Sequence, residues 1–239
     1  MKTLLVYPKY PDTFWSFEHA LKIISKKAAF PPLGLLTVAA MLPAEWEKKL
    51  VDMNTNVLTD EDLKWADYVF ISAMVVQRDS TNEVINRCKQ LGVKIVAGGP
   101  LFTTEYDEFD GVDYFVLGEA EVTLPRFLAD LDRGCPQHIY TPNEWPDIGE
   151  TPIPKWSLIN MKKYSAMSVQ YSRGCPFNCE FCDIVILNGH KPRTKGKDQL
   201  LAEFDALYHR GWRSSVFIVD DNFIGNKKKL KAEILPAII

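Results

Sequence analysis

The chain has 239 residues, enough for one large or two modest domains at about 100 to 200 residues each. Hydrophobic residues at 46% and charged residues at 25% allow cores to form, and a formal net charge of -3 gives no bulk electrostatic reason to expect a nucleic acid or an anionic membrane as partner. Met1-Lys2 leads straight into a short apolar run, no later run reaches the roughly 20 residues of a bilayer span, and three of the five cysteines cluster, so we expect a cytoplasmic protein without signal peptide or transmembrane segment.

Residues 1–133 alternate β-branched or aromatic runs with longer amphipathic segments. Strands are expected at 3–7, 49–52, 67–72, 94–97 and 114–117, with helices at 33–42, 80–91 and 124–131. Gly92 and Gly134 supply helix stops. That rhythm predicts an α/β fold, a flavodoxin-like or Rossmann-like doubly wound sheet that binds ligands outside the carboxyl ends of its strands. The strand-end loops therefore hold the candidate contacts: a cluster of Tyr10, Phe14, Trp15 and Phe17 after the first strand, Ser72 and Gln77 after the third, Gly98 and Gly99 after the fourth, and Gly118 and Glu119 after the fifth. Hydrogen-bond donors and close backbone approach give these residues a binding reading; ordinary turn chemistry gives them another.

Prolines at 136, 142, 146, 152 and 154 mark residues 134–165 as a semi-rigid linker, with Trp156 and Tyr164 as packing anchors. Cys88, in an expected helix, and Cys135 read as ordinary thiols.

A second unit, 166–239, opens with a strand that leads into YSRGCPFNCEFCD. Cys175, Cys179 and Cys182 stand in a C-x3-C-x2-C spacing, and Gly174 and Pro176 favour a loop. Structural zinc and ordinary iron–sulfur clusters take four protein ligands. Three local thiolates leave one metal position open. A helix capped by Asp198 should run to Gly211, and a further strand ends in Asp220, Asp221 and Asn222, at the end of a parallel strand where function is placed.

The cysteine spacing, with Phe181 before the third cysteine, resembles the radical SAM superfamily. The preceding sheet region resembles the cobalamin-binding domain of one large class of these enzymes. FPPLGLLTVAAMLPAEWEKKLVDMN, SAMVVQR and FIVDDNFIGN resemble the hopanoid C-2 methylase subgroup over nearly the whole chain. The resemblance implies a [4Fe-4S] cluster on Cys175, Cys179 and Cys182, S-adenosyl-L-methionine on its open iron, and cobalamin at the strand-end loops. It places Phe181 near the adenine and Asp220, Asp221 and Asn222 where the amino group or ribose is held, while Arg193 and the lysines at 191, 195 and 197 either meet the cofactor carboxylate or are solvated.

It further implies a methyltransferase acting on an unactivated carbon through a 5′-deoxyadenosyl radical and methylcobalamin. The substrate would be a small or lipid-like molecule, and a reductase, flavodoxin or ferredoxin would donate electrons. The Asp-x-His-x-x-Gly motif of many cobalamin domains is absent, and His19 reads as a surface or packed histidine, so cobalamin is expected without a protein histidine on its lower face. Six βα units make up such a core, so 166–239 reads as its truncated start. A non-methylating rearrangement and an inactive binding fragment are the alternatives.

Overall fold

The computed structural model describes residues 1–13 and 16–238; Phe14 and Trp15 of the expected aromatic group lie outside the described residues. Strands β1 (Lys2–Tyr7), β2 (Glu47–Asp52), β3 (Tyr68–Ser72), β4 (Lys94–Gly98), β5 (Tyr114–Val116) and β6 (Ile139–Tyr140) form one parallel sheet in the order β2-β1-β3-β4-β5-β6. Helices α1 (Glu18–Ile23), α2 (Leu33–Met41), α3 (Asp60–Trp65), α4 (Arg78–Leu91), α5 (Pro100–Glu105) and α6 (Ala120–Asp132) connect them. This is the expected doubly wound α/β arrangement.

Strand side chains alternate between two cores, as the period of two requires. Leu4, Val6, Val69, Ile71, Ile95 and Ala97 pack with Leu63, Val84, Ile85 and Phe102 of α3, α4 and α5. Leu5, Phe70, Val96 and Val116 face the other way, against Leu35 and Ala39 of α2 and Leu124 and Phe127 of α6. Local signals agree with the element ends. Thr59 and Asp62 form a capping box at the start of α3, and α4 stops at Gly92 with φ 67°.

Three expectations need adjustment. The Gly98-Gly99-Pro100 stretch is not all loop, because Pro100 opens α5, where its missing N–H costs nothing. Residues 134–165 do more than link: Ile139 and Tyr140 add an edge strand beside β5 between two of the prolines, a position where proline is tolerated nearby. Asp198 sits in the first turn of its helix and Gly196 is the cap.

The second unit contains β7 (Met167–Val169), β8 (Ser172–Arg173), α7 (Ile184–Asn188), β9 (Arg193–Thr194), α8 (Lys197–His209) and β10 (Val216–Ile218), followed by helical turns at Lys227–Lys229, Leu230–Ile234 and Leu235–Ile238. β7 and β10 pair in parallel, and β8 and β9 pair antiparallel across the cysteine loop. Its core joins Met167, Val169, Leu200 and Leu207 to Trp156, Tyr164 and to Leu36 of α2, so the two expected anchors do pack between the units. No helix among the described residues is long and apolar enough to cross a membrane.

Candidate cofactor site

A cavity of about 480 Å³ lies beyond the carboxyl ends of β3, β4 and β5, the side of an open α/β sheet on which ligands bind. Ser72, Gly98, Gly99, Gly118 and Glu119 line it, as do Leu33, Gly34 and Val38 of α2. Its opposite wall comes from the cysteine-bearing unit, through Gln170, Arg173, Asn188, Lys195, Glu203 and Val219.

The glycines at the strand ends answer first to the protein's own packing. A Cβ on Gly98 would stand 2.6 Å from Val116 O, one on Gly99 2.4 Å from Ser72 Oγ, and one on Gly118 2.7 Å from Pro142 Cγ. Gly34 differs. A Cβ there would meet nothing within 4 Å, and Gly34 lines the cavity from the first turn of α2. Sequence reasoning passed over this residue because a single helical glycine has no periodic signature. Gln77 does not line the cavity: it is buried, its Nε2 donating to Pro8 O at 2.5 Å and its Oε1 accepting from Met74 N at 2.8 Å, so it ties two strand-end loops together.

The cysteine loop is pinned at its base by the acidic strand end. Asp220 accepts from Tyr171 N and Ser172 Oγ, both at 2.7 Å, and burial raises its carboxyl above the ordinary value. Asp221 accepts from Gly174 N and Asn188 Nδ2, both at 2.8 Å, while Asn222 Nδ2 donates to Cys175 Sγ at 3.5 Å. The trio therefore holds the loop that carries the thiols. Cys175 and Cys182 are half-buried, Cys179 is exposed and Phe181 is 94% exposed. Among the described residues no three His, Cys, Asp or Glu side chains converge to hold a metal. Three thiols on one clamped loop are nevertheless the right donors for an iron–sulfur cluster.

Of the expected basic residues, Arg193 and Lys195 are committed within the protein, whereas Lys191 and Lys197 are exposed. Arg173 joins Glu119 at 2.7 Å and Glu121 at 2.9 Å, and Arg193 joins Glu119 at 2.5 Å. Arg193 also donates to Pro146 O and Asn188 O, both at 2.9 Å. Burial acts to raise Glu121, and the Arg173 guanidinium outweighs it, holding the carboxyl below its usual value. This network links the turn after β5 with the strands that flank the cysteine loop. Lys195 is buried against Glu203 rather than solvated. His19 is exposed on α1, in keeping with a surface histidine. Cys88 is buried in α4, its thiol pushed up to about 12 by burial, and Cys135 is exposed.

The family model of the B12 binding domain matches residues 23–128. An uncharacterized methyltransferase from Synechocystis sp. is 52% identical over 233 residues, covering 97% of this chain and 44% of that protein. Hopanoid C-2 methylase from Rhodopseudomonas palustris is 38% identical over 243 residues, covering 100% of this chain and 46% of that protein. The chain thus spans about half the length of the curated relatives it matches, 44% and 46% in these two. Among solved structures, the radical S-adenosylmethionine methyltransferase TsrM from Kitasatospora setae, bound to cobalamin and a [4Fe-4S] cluster, aligns with a TM-score of 0.64 at 14% identity over 93% of this chain and 48% of that one. That likeness is one of fold.

Proposed function

We propose that this chain, which aligns over its own whole length with part of hopanoid C-2 methylase and matches the B12 binding domain model at residues 23–128, is part of a cobalamin-dependent radical SAM methyltransferase acting on an unactivated carbon of a small or lipid-like molecule. One observation supports this above the others: the cavity at the sheet's carboxyl ends is walled on its far side by the unit that presents Cys175, Cys179 and Cys182. The cysteines do not themselves line the cavity, but Arg173 and Asn188, which flank their loop, do, so a sheet-end ligand would lie beside the unit that carries the cluster.

The division into a cobalamin-binding region at 1–133, a linker at 134–165 and the start of the radical SAM core at 166–239 belongs to the same reading. Cobalamin would lie against Gly34 and the strand-end loops, and the three cysteines would hold a [4Fe-4S] cluster with S-adenosylmethionine on the open iron. When bound, these groups supply the electron, the radical and the methyl group of the reaction. The chain's own contribution is placement. Asp220 and Asp221 fix the backbone of the cysteine loop, Glu119 joins that loop's base to the turn after β5, and α2 with the sheet ends supplies apolar walls that exclude water. Electrons would come from a reductase, flavodoxin or ferredoxin in the cytoplasm.

The test is anaerobic reconstitution with iron and sulfide, reduction, and electron paramagnetic resonance with and without S-adenosylmethionine. A cubane signal that shifts on addition of S-adenosylmethionine is expected. Replacing Cys175, Cys179 or Cys182 by Ala should abolish it, and a full cluster in any of the three variants would refute the ligand assignment.

A further inference from the structure

The three cysteines of the loop are not held alike. Cys175 donates its N–H to Gly189 O at 3.1 Å, and Gly174 just before it is tied to Asp221 at 2.8 Å. Its half-buried sulfur also has a side-chain donor, Asn222 Nδ2 at 3.5 Å. Among the described residues no side chain donates in this way to the sulfur of Cys179 or Cys182.

Asn222 is fixed for this contact. Its C=O accepts from Gly225 N at 2.9 Å and from Ser172 Oγ at 3.4 Å, which anchors its backbone between the turn after β10 and the start of the cysteine loop. The neighbouring aspartates are engaged elsewhere, Asp220 with Tyr171 N and Ser172 Oγ, Asp221 with Gly174 N and Asn188 Nδ2. Asn222 is the member of the trio that touches a thiol.

A cysteine ligates metal as its thiolate, which has no proton to give, so the NH2 end of the asparagine amide must face it. Hydrogen bonds strengthen as the acceptor gains negative charge. Reduction of an iron–sulfur cluster adds such charge to its sulfurs. A donor to one ligating sulfur therefore favours the reduced form.

Resting on the cofactor reading above, we propose that Asn222 is a positioning residue for the cluster, whose amide N–H holds the Cys175 thiolate and raises the cluster's reduction potential.

The experiment compares the chain with Asn222→Leu, a side chain of similar shape without a donor. Both are reconstituted anaerobically with iron and sulfide, and the cluster's one-electron midpoint is read by redox titration followed by electron paramagnetic resonance, without S-adenosylmethionine. At a fixed potential the ratio of reduced to oxidised cluster should fall about tenfold in the variant, a midpoint about 59 mV more negative. A ratio within about twofold of the natural sequence overturns the proposal and leaves the cofactor reading standing. An asparagine that served only S-adenosylmethionine would give that result. A midpoint that rises, as a loosened and wetter loop would produce, overturns the proposal too. No cluster in the natural sequence sinks the cofactor reading, and the proposal with it. Should Asn222→Leu take up no cluster, 15N at the asparagine side-chain amides decides, in an Asn178→Gln background that removes the asparagine within the cysteine loop. Pulsed electron paramagnetic resonance of the reduced cluster should then show a coupling to labelled nitrogen, and its absence overturns the proposal.

Discussion

Gly174, with φ +90°, would place a Cβ 2.7 Å from Lys191 O and 3.0 Å from both Asn188 O and Gly189 O. Backbone atoms cannot move aside as a flexible side chain can, and the backbone conformation itself costs a non-glycine residue about 1–3 kcal/mol. Gly174→Ala should therefore unseat the loop at its first cysteine: iron content after reconstitution falls while far-UV circular dichroism is kept, and full iron loading would contradict this. Asp220→Ala strips partners from Tyr171 N and Ser172 Oγ and should cost about 1–3 kcal/mol in a urea titration. Tyr164 is a third case. Its buried hydroxyl donates to Asp52 Oδ2 at 2.9 Å across 112 positions of sequence, and Tyr164→Phe should cost about 1–3 kcal/mol by the same measurement.

At the scale of elements, local chemistry made most of the sheet legible. Runs such as YVFIS and KIVAG combine β-branched and apolar residues between breakers, and the structure turns both into buried central strands. β6 escaped notice because two residues between Pro136 and Pro142 show no period, and only pairing with Phe115 and Val116 makes them a strand. The start of α5 was hidden by Gly98-Gly99, which reads as a turn. There the φ of Gly99 is +85° and its Cβ position is filled by Ser72. Gly99→Ala should lower the melting temperature and perturb the cavity mouth, visible as weaker hydroxocobalamin binding. The cysteine spacing was legible as well, since it lies within one loop. Arg173–Glu119, Arg193–Glu119 and the cavity wall at Glu203 were not, because the partners are 54 and 74 positions apart and no local pattern announces them.

Across the whole molecule, the buried arginines join what the sequence presents as separate units. Removing one partner of such a network strands the other's charge, so Arg173→Met should destabilise by about 3–5 kcal/mol in a denaturant titration. Its pH dependence follows from Glu121, whose lowered value means that its stabilising share is full above the ordinary carboxylate range and is lost as pH falls through the lowered one. Susceptibility to proteolysis within 134–165 should accordingly stay flat near neutrality and rise only below about pH 4. The cavity's two-sided wall has a further consequence. A molecule that fills it contacts both units at once and loses the contacts of one if they part, so occupancy acts as thermodynamic cement: at a hundred times its Kd a ligand adds about 2.7 kcal/mol to the joined state. The melting temperature should then climb with the logarithm of ligand concentration past apparent saturation.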